Sequence, residues 1–216
     1  RGTDLYLEAE ASLWMLHWNL VSRPRLTSAY WLFNEFRGGS FTRKDIVTSL
    51  LNLAQECSWS RVASTTVDRD LQCLLRAYVG GRGSSEAGDS ILAELGLVRP
   101  IDNYRWRLSR GRKPSLPDTV FLYSLNDFWH GFADDKTTMS YENAIFAPGS
   151  PGRVFLLEEG DIIERLERIE DISQGSLAWS ETAGLRQIIR QNKRSIEHER
   201  RILHDSLLNE SAQEAA

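Results

Sequence analysis

A chain of 216 residues with 41% apolar and 26% charged residues has enough material to bury a core, as one domain or two small ones, and its composition excludes a disordered polymer. A net charge of −4 excludes a protein that coats nucleic acid over its whole surface, yet permits a local cationic patch, because a field is set by where charges sit. Cys57 and Cys73 are too few for a disulfide framework and fit no metal-ligand spacing, and no apolar run reaches the roughly 18 residues of a membrane span, so a cytoplasmic protein with two reduced, partly buried cysteines is expected.

The chain opens on Arg1 and not on Met, with its pattern already in mid-stride, so a further N-terminal segment is expected. Residues 7–22 place Leu7, Ala11, Trp14, Leu16, Trp18 and Val21 at mixed helical spacings, predicting a helix buried nearly all round that Pro24 stops. Thr27 or Ser28 is expected to cap a second helix over the aromatic run from Tyr30 to Phe36, ended by Gly38 and Gly39. Thr42, with Asp45 three residues on, reads as a capping box for a helix carrying Ile46, Val47, Leu50, Leu51 and Leu53. From Ser64 onward, Val67, Leu71, Leu74, Leu75 and Tyr78 share one helical face, and Thr65, Thr66, Asp68, Arg69, Gln72 and Arg76 share the other. Residues 80–90 are rich in Gly and Ser and read as a flexible loop. Tyr104, Trp106 and Leu108 then alternate with Arg105 and Arg107, the period of a strand with one packed and one wet face. Asp102 and Asn103 turn it back onto residues 97–101, where Pro100 confines the first strand to an edge, and the result is a small hairpin.

Beyond Pro117, Val120, Phe121, Leu125, Phe128 and Trp129 predict the core of a second, all-helical block. Residues 147–155 read as a stiff loop, 158–173 as an amphipathic helix whose acidic start suits the helix dipole, and the surroundings of Trp179 as a strand or turn. A long charged helix with a frayed end closes the chain. The expected fold is therefore mainly α with small β-hairpins. It divides into a winged-helix-like domain with an N-terminal helix over 1–113, a second mostly helical domain over 114–190, and a charged C-terminal helix and tail over 191–216.

Three helices, the third with a polar face, followed by a hairpin bearing arginines, is the order of parts in a winged helix-turn-helix. A helix fits the major groove, where short polar side chains and Arg reach base edges, while a basic wing holds phosphates. The candidate DNA contacts are Thr65, Thr66, Arg69, Gln72 and Arg76 on the helix, and Arg105, Arg107, Arg110, Arg112 and Lys113 on or beside the wing. Between residues 99 and 113, Arg99 joins those last five cations against Asp102 alone, a local net of +5. Asp68 and Asp70 flank Arg69 and are expected to orient it or to pair with another protein. The competing reading is a protein-docking module whose arginines only solvate and protect a sheet edge.

No catalytic residue, cofactor or metal is expected. His17 lies among tryptophans as a core histidine, His130 sits near a helix end, and His198 and His204 are six apart on different helical faces. Asp134 with Asp135, and Glu158, Glu159 and Asp161, read as a loop and a helix start. Residues 148–155 lack the GK[ST] ending of a phosphate-binding loop and read as a rigid turn; residues 182–187 are equally weak.

The strings LWMLHW (13–18), YWLFNEF (30–36), DRDLQCLLRAYV (68–79), LAELGLV (92–98), PGSPGRVF (148–155) and TAGLRQ (182–187) together resemble the bacterial family known as domain of unknown function 4007, over most of the chain to about residue 190. The resemblance implies a further N-terminal segment and a genomic setting beside sulfur-transfer enzymes similar to phosphoadenosine-phosphosulfate (PAPS) reductases, in DNA phosphorothioation and antiviral defence clusters. It brings no catalytic residues. The expectation is an accessory DNA-binding protein acting on duplex DNA, or else a docking scaffold for the PAPS-reductase-like enzyme that never touches DNA; a nuclease is a third, weaker expectation.

Overall fold

The computed structural model describes residues 10–59, 62–79, 90–192, 201, 202 and 205. The expected Gly/Ser-rich loop, His198, His204 and most of the expected C-terminal helix lie outside them. Among the described residues, no helix is long and apolar enough to cross a membrane.

The chain divides into two units, Arg23–Arg110 and Arg1–Ser22 with Gly111–Ala216. The boundary expected after residue 113 thus falls after Arg110, and the first helix, α1 (Glu10–Val21), belongs with the C-terminal part of the chain rather than with the domain that follows it. Its partners explain this. Trp18 Nε1 donates to Asp127 Oδ2 at 3.0 Å, His17 Nε2 lies 2.7 Å from the carbonyl of Val154, and Trp14 meets Phe155 edge-on at 5.5 Å. A helix apolar on several sides announces burial but not which neighbour supplies it.

The Arg23–Arg110 unit runs α2 (Thr27–Asn34), β1 (Phe41–Thr42), α3 (Arg43–Glu56), α4 (Ser64–Val79), β2 (Val98–Pro100), β3 (Arg105–Leu108). The strands form an antiparallel sheet in the order β1-β3-β2, with Phe41 opposite Trp106, Thr42 opposite Arg105, and Arg99 opposite Arg107. Phe33, Phe41, Ile46, Leu71 and Tyr78 make the core, with Phe33 and Tyr78 at 5.2 Å and Phe41 and Trp106 at 6.2 Å between ring centroids. The capping box opens α3: Thr42 Oγ1 accepts from the Asp45 amide at 3.2 Å, and Asp45 Oδ2 from the Thr42 amide at 2.8 Å. Those bonds hold the Asp45 carboxyl below the usual carboxylate range. For α2 the expected cap is corrected. Thr27 already lies in the helix, and Leu26 precedes it without a side-chain hydrogen bond.

The other described unit is not all-helical. Alongside α5 (Asp118–Ala133), α6 (Tyr141–Phe146), α7 (Pro151–Val154), α8 (Glu159–Glu167) and α9 (Ile169–Ile172), it holds β4 (Thr138–Ser140), β5 (Leu177–Thr182) and β6 (Leu185–Arg190), an antiparallel sheet in the order β4-β6-β5. Ala183 and Gly184, with φ of 51° and 82°, join β5 to β6 in the two-residue geometry that suits the twist of a hairpin. Inside the unit, Arg165 is almost fully buried and bonds Asp118 Oδ1 at 2.8 Å, Asp161 Oδ1 at 3.2 Å and the Lys113 carbonyl at 3.0 Å. This charge is paired on every side, as burial requires.

Candidate nucleic-acid interface

Amphipathicity fixes how α4 presents itself. Val67, Leu71, Leu75 and Tyr78 are buried, which turns Thr65, Thr66, Arg69 and Arg76 outward and leaves Gln72 half-buried. A groove of about 660 Å³ opens beside this face. From α4 it takes Ser64, Thr65, Asp68, Arg69 and Gln72; from the start of α3, Thr42, Arg43, Lys44 and Val47; from the β2–β3 ribbon, Tyr104 and Trp106. Three of the expected contacts, Thr65, Arg69 and Gln72, thus stand in one cavity with the ribbon. Thr66 and Arg76 are exposed outside it.

The groove carries three cations, Arg43, Lys44 and Arg69, against Asp68. Asp68 does not orient Arg69 through a salt bridge; its carboxylate lies 3.6 Å from Arg43 Nε, linking α4 to α3. Both groups are well exposed, so the pair contributes about 1 kcal/mol or less and its arginine stays accessible to an anion.

The ribbon's arginines are arranged differently from the expectation. Alternation along β3 sends Arg105 and Arg107 to the face opposite Trp106, whereas the groove is lined by Tyr104 and Trp106. Arg105 is neutralised by Asp102, whose Oδ2 accepts from Arg105 Nε at 2.7 Å while Oδ1 accepts from the Tyr104 and Arg105 amides at 2.9 Å each. These bonds, the Tyr104 amide foremost, keep the Asp102 carboxyl below its ordinary range. Arg107 faces Arg99 across the strand pair, and both are exposed, a like-charge juxtaposition that repels. Arg110 is exposed; partial desolvation and then the nearby charge of Arg37 lower its guanidinium pKa.

Arg112 and Lys113 do not sit on the wing. They belong to the other unit, where Arg112 pairs with Glu164 and buried Lys113 gives its amide to Asp161 Oδ2 at 2.9 Å. The chain leaves the ribbon at Gly111, whose amide bonds the Leu156 carbonyl at 3.0 Å. A run of basic residues in sequence is therefore divided in space.

Arg43, Lys44, Tyr104 and Trp106 are among the groove residues absent from the expected contacts. The first two lie inside the capping box, between Thr42 and Asp45, and read as the start of an ordinary helix; the aromatics alternate with arginines and read as packing.

Elsewhere the fold gives the remaining candidates structural work. Burial lowers the His17 pKa to about 4, against the opposing bond to Val154, with the charge of Lys113 adding to the fall. His130 Nδ1 meets Asp134 Oδ1 at 2.6 Å. Cys57 and Cys73 are both exposed, not partly buried as expected. In the 148–155 segment Ser150 caps α7, and a Cβ on Gly152 would fall 2.5 Å from Ile145 Cα, so that glycine serves close packing. Among the described residues, no group of three His, Cys, Asp or Glu is placed to hold a metal ion.

A family model described as "Protein of unknown function (DUF4007)" matches residues 1–206, and the chain belongs to that family. No curated protein matches it. Two solved structures are similar to it at 25% identity over 97% of its length: "SspB crystal structure", with a TM-score of 0.81, and "Magnesium ion-bound SspB crystal structure", with a TM-score of 0.76. The chain spans 63% of the first and 71% of the second.

Proposed function

We propose that this member of the DUF4007 family is an accessory, non-catalytic DNA-binding protein of a bacterial DNA-modification system of the phosphorothioation kind, or of antiviral defence, and that Arg23–Arg110 is its winged-helix module. The observation that carries the reading is the groove, which sets Thr65, Arg69 and Gln72 of α4 beside Arg43 and Lys44 and beneath the ribbon. Helix, strand and ribbon order, with the sheet ordered β1-β3-β2, supports a module in which α4 enters the major groove and the ribbon follows the backbone. Short polar side chains on α4 suit base edges, and the cations suit the phosphates between helix and ribbon. Arg99 and Arg107 offer a second phosphate contact on the ribbon's other face. Family membership and the likeness to SspB support the modification-system setting.

One observation favours the alternative of a docking scaffold for a sulfur-transfer enzyme: Asp68 places a carboxylate inside the groove, which repels phosphate. Among the described residues no three carboxylate, imidazole or thiolate groups converge, and no step is built on the magnesium named for one neighbour.

A mobility shift on duplex DNA tests the reading. The protein retards duplex, and Arg69→Ala or the pair Arg43→Ala with Lys44→Ala weakens retardation. Failure of the wild-type chain to shift duplex favours the scaffold, and magnesium-dependent nicking of a supercoiled plasmid overturns the non-catalytic assignment.

A further inference from the structure

We infer that the groove accepts an unpaired nucleotide, with its base stacked on Tyr104 and its phosphates against Arg43 and Lys44. The inference rests on the DNA-binding reading and names the form of DNA that the groove selects.

Tyr104 is 77% exposed, the most exposed large hydrophobic side chain among the described residues. Its backbone is nonetheless held in place. The Asp102 carboxylate binds the amides of Tyr104 and Arg105, and the Ile101 amide bonds the Arg105 carbonyl at 2.8 Å, closing the turn on which the ring stands. With the backbone already ordered at the turn, only the side-chain torsions are left to fix when something stacks on the ring.

Trp106 follows two residues later, so strand alternation puts its ring on the same side as Tyr104, and both line the cavity. The same groove is lined by the cations Arg43, Lys44 and Arg69. Aromatic rings and positive charge sharing one concave surface are the combination that binds single-stranded nucleic acid, since every base has a π-face and every nucleotide a phosphate. The volume of about 660 Å³ lies inside the range of about 300–1,000 Å³ that encloses small ligands. A base fully stacked within a duplex has no face to offer Tyr104; a bulged, flipped or single-stranded base does. From α4, Thr65 and Gln72 offer donors and acceptors to a base edge, while Asp68 accepts only. The carboxylate that counts against a phosphate at that point suits an exocyclic amino group.

The test compares the full chain on a perfect duplex and on the same duplex carrying one bulged 2-aminopurine, by anisotropy and by 2-aminopurine fluorescence. Wild-type protein is expected to bind the bulged duplex more tightly and to quench its fluorescence. Tyr104→Leu is expected to lose the preference, weakening bulge binding by roughly 5- to 150-fold, the range of one base–aromatic stack, so that the ratio of bulged to perfect-duplex affinity falls toward one. Tyr104→Phe should retain it. Equal binding of both duplexes with no quenching by the wild-type chain overturns the inference and leaves the DNA-binding reading standing; binding of neither overturns both.

Discussion

Asp102 holds the guanidinium of Arg105 at 2.7 Å, so one carboxylate both builds the ribbon's turn and cancels one of its charges. Arg107, two residues on, has Arg99 and not a carboxylate across the strand pair. The two arginines are identical in sequence terms and unequal in electrostatics. Counterion release then separates them: Arg107→Ala should flatten the slope of log affinity against log salt by about 0.9, and Arg105→Ala by clearly less. Equal effects would show that the Asp102 pair opens when DNA binds.

His17 predicts a pH dependence. Its folded pKa of about 4 lies below the ordinary 6.5, so between these values the unfolded chain takes up a proton that the folded chain refuses. The contribution is present in full above about pH 6.5 and is lost as pH falls toward 4, about 3 kcal/mol in all. His17→Gln keeps an amide donor for the Val154 carbonyl and should flatten the urea-derived stability profile in that window. A slope unchanged from wild type would locate the acid sensitivity elsewhere.

Gly152 distinguishes packing from phosphate binding in the 148–155 segment. An added methyl would meet Ile145 Cα at 2.5 Å and its carbonyl oxygen at 2.6 Å, backbone atoms that cannot swing aside. Gly152→Ala is therefore expected to destabilise by about 1–3 kcal/mol in denaturant titration. Inorganic phosphate should leave the melting temperature of the wild-type protein unchanged. A phosphate-dependent rise would restore the loop as an anion site.

Local chemistry was legible where it was strong. Thr42 and Asp45 announced α3, the alternation from Tyr104 to Leu108 announced β3, and the apolar stripe of α4 fixed which face looks outward. Long-range pairing was not. β1 contributes two residues and β4 three, too few to show a period, and each becomes a strand only through partners far along the chain, Trp106 and Ile188 among them. The β5–β6 hairpin did carry a signal in Ala183-Gly184, obscured by reading that stretch as a possible loop site. The groove combined both cases. Thr65, Arg69 and Gln72 followed from helix periodicity, but Arg43 and Lys44 join them only because α3 packs on α4. The basic run from 105 to 113 misled for the converse reason, since adjacency in sequence ends where the chain passes from one unit to the other at Gly111.

The central claim is that the groove between α3, α4 and the ribbon is where phosphates bind. It is tested most directly by the salt dependence of duplex binding for the wild-type chain and for Arg43→Ala with Lys44→Ala. If both side chains contact phosphates, the slope should become shallower by about 1.8, with weaker binding at every salt concentration. A double variant whose slope and affinity match the wild type would contradict the assignment.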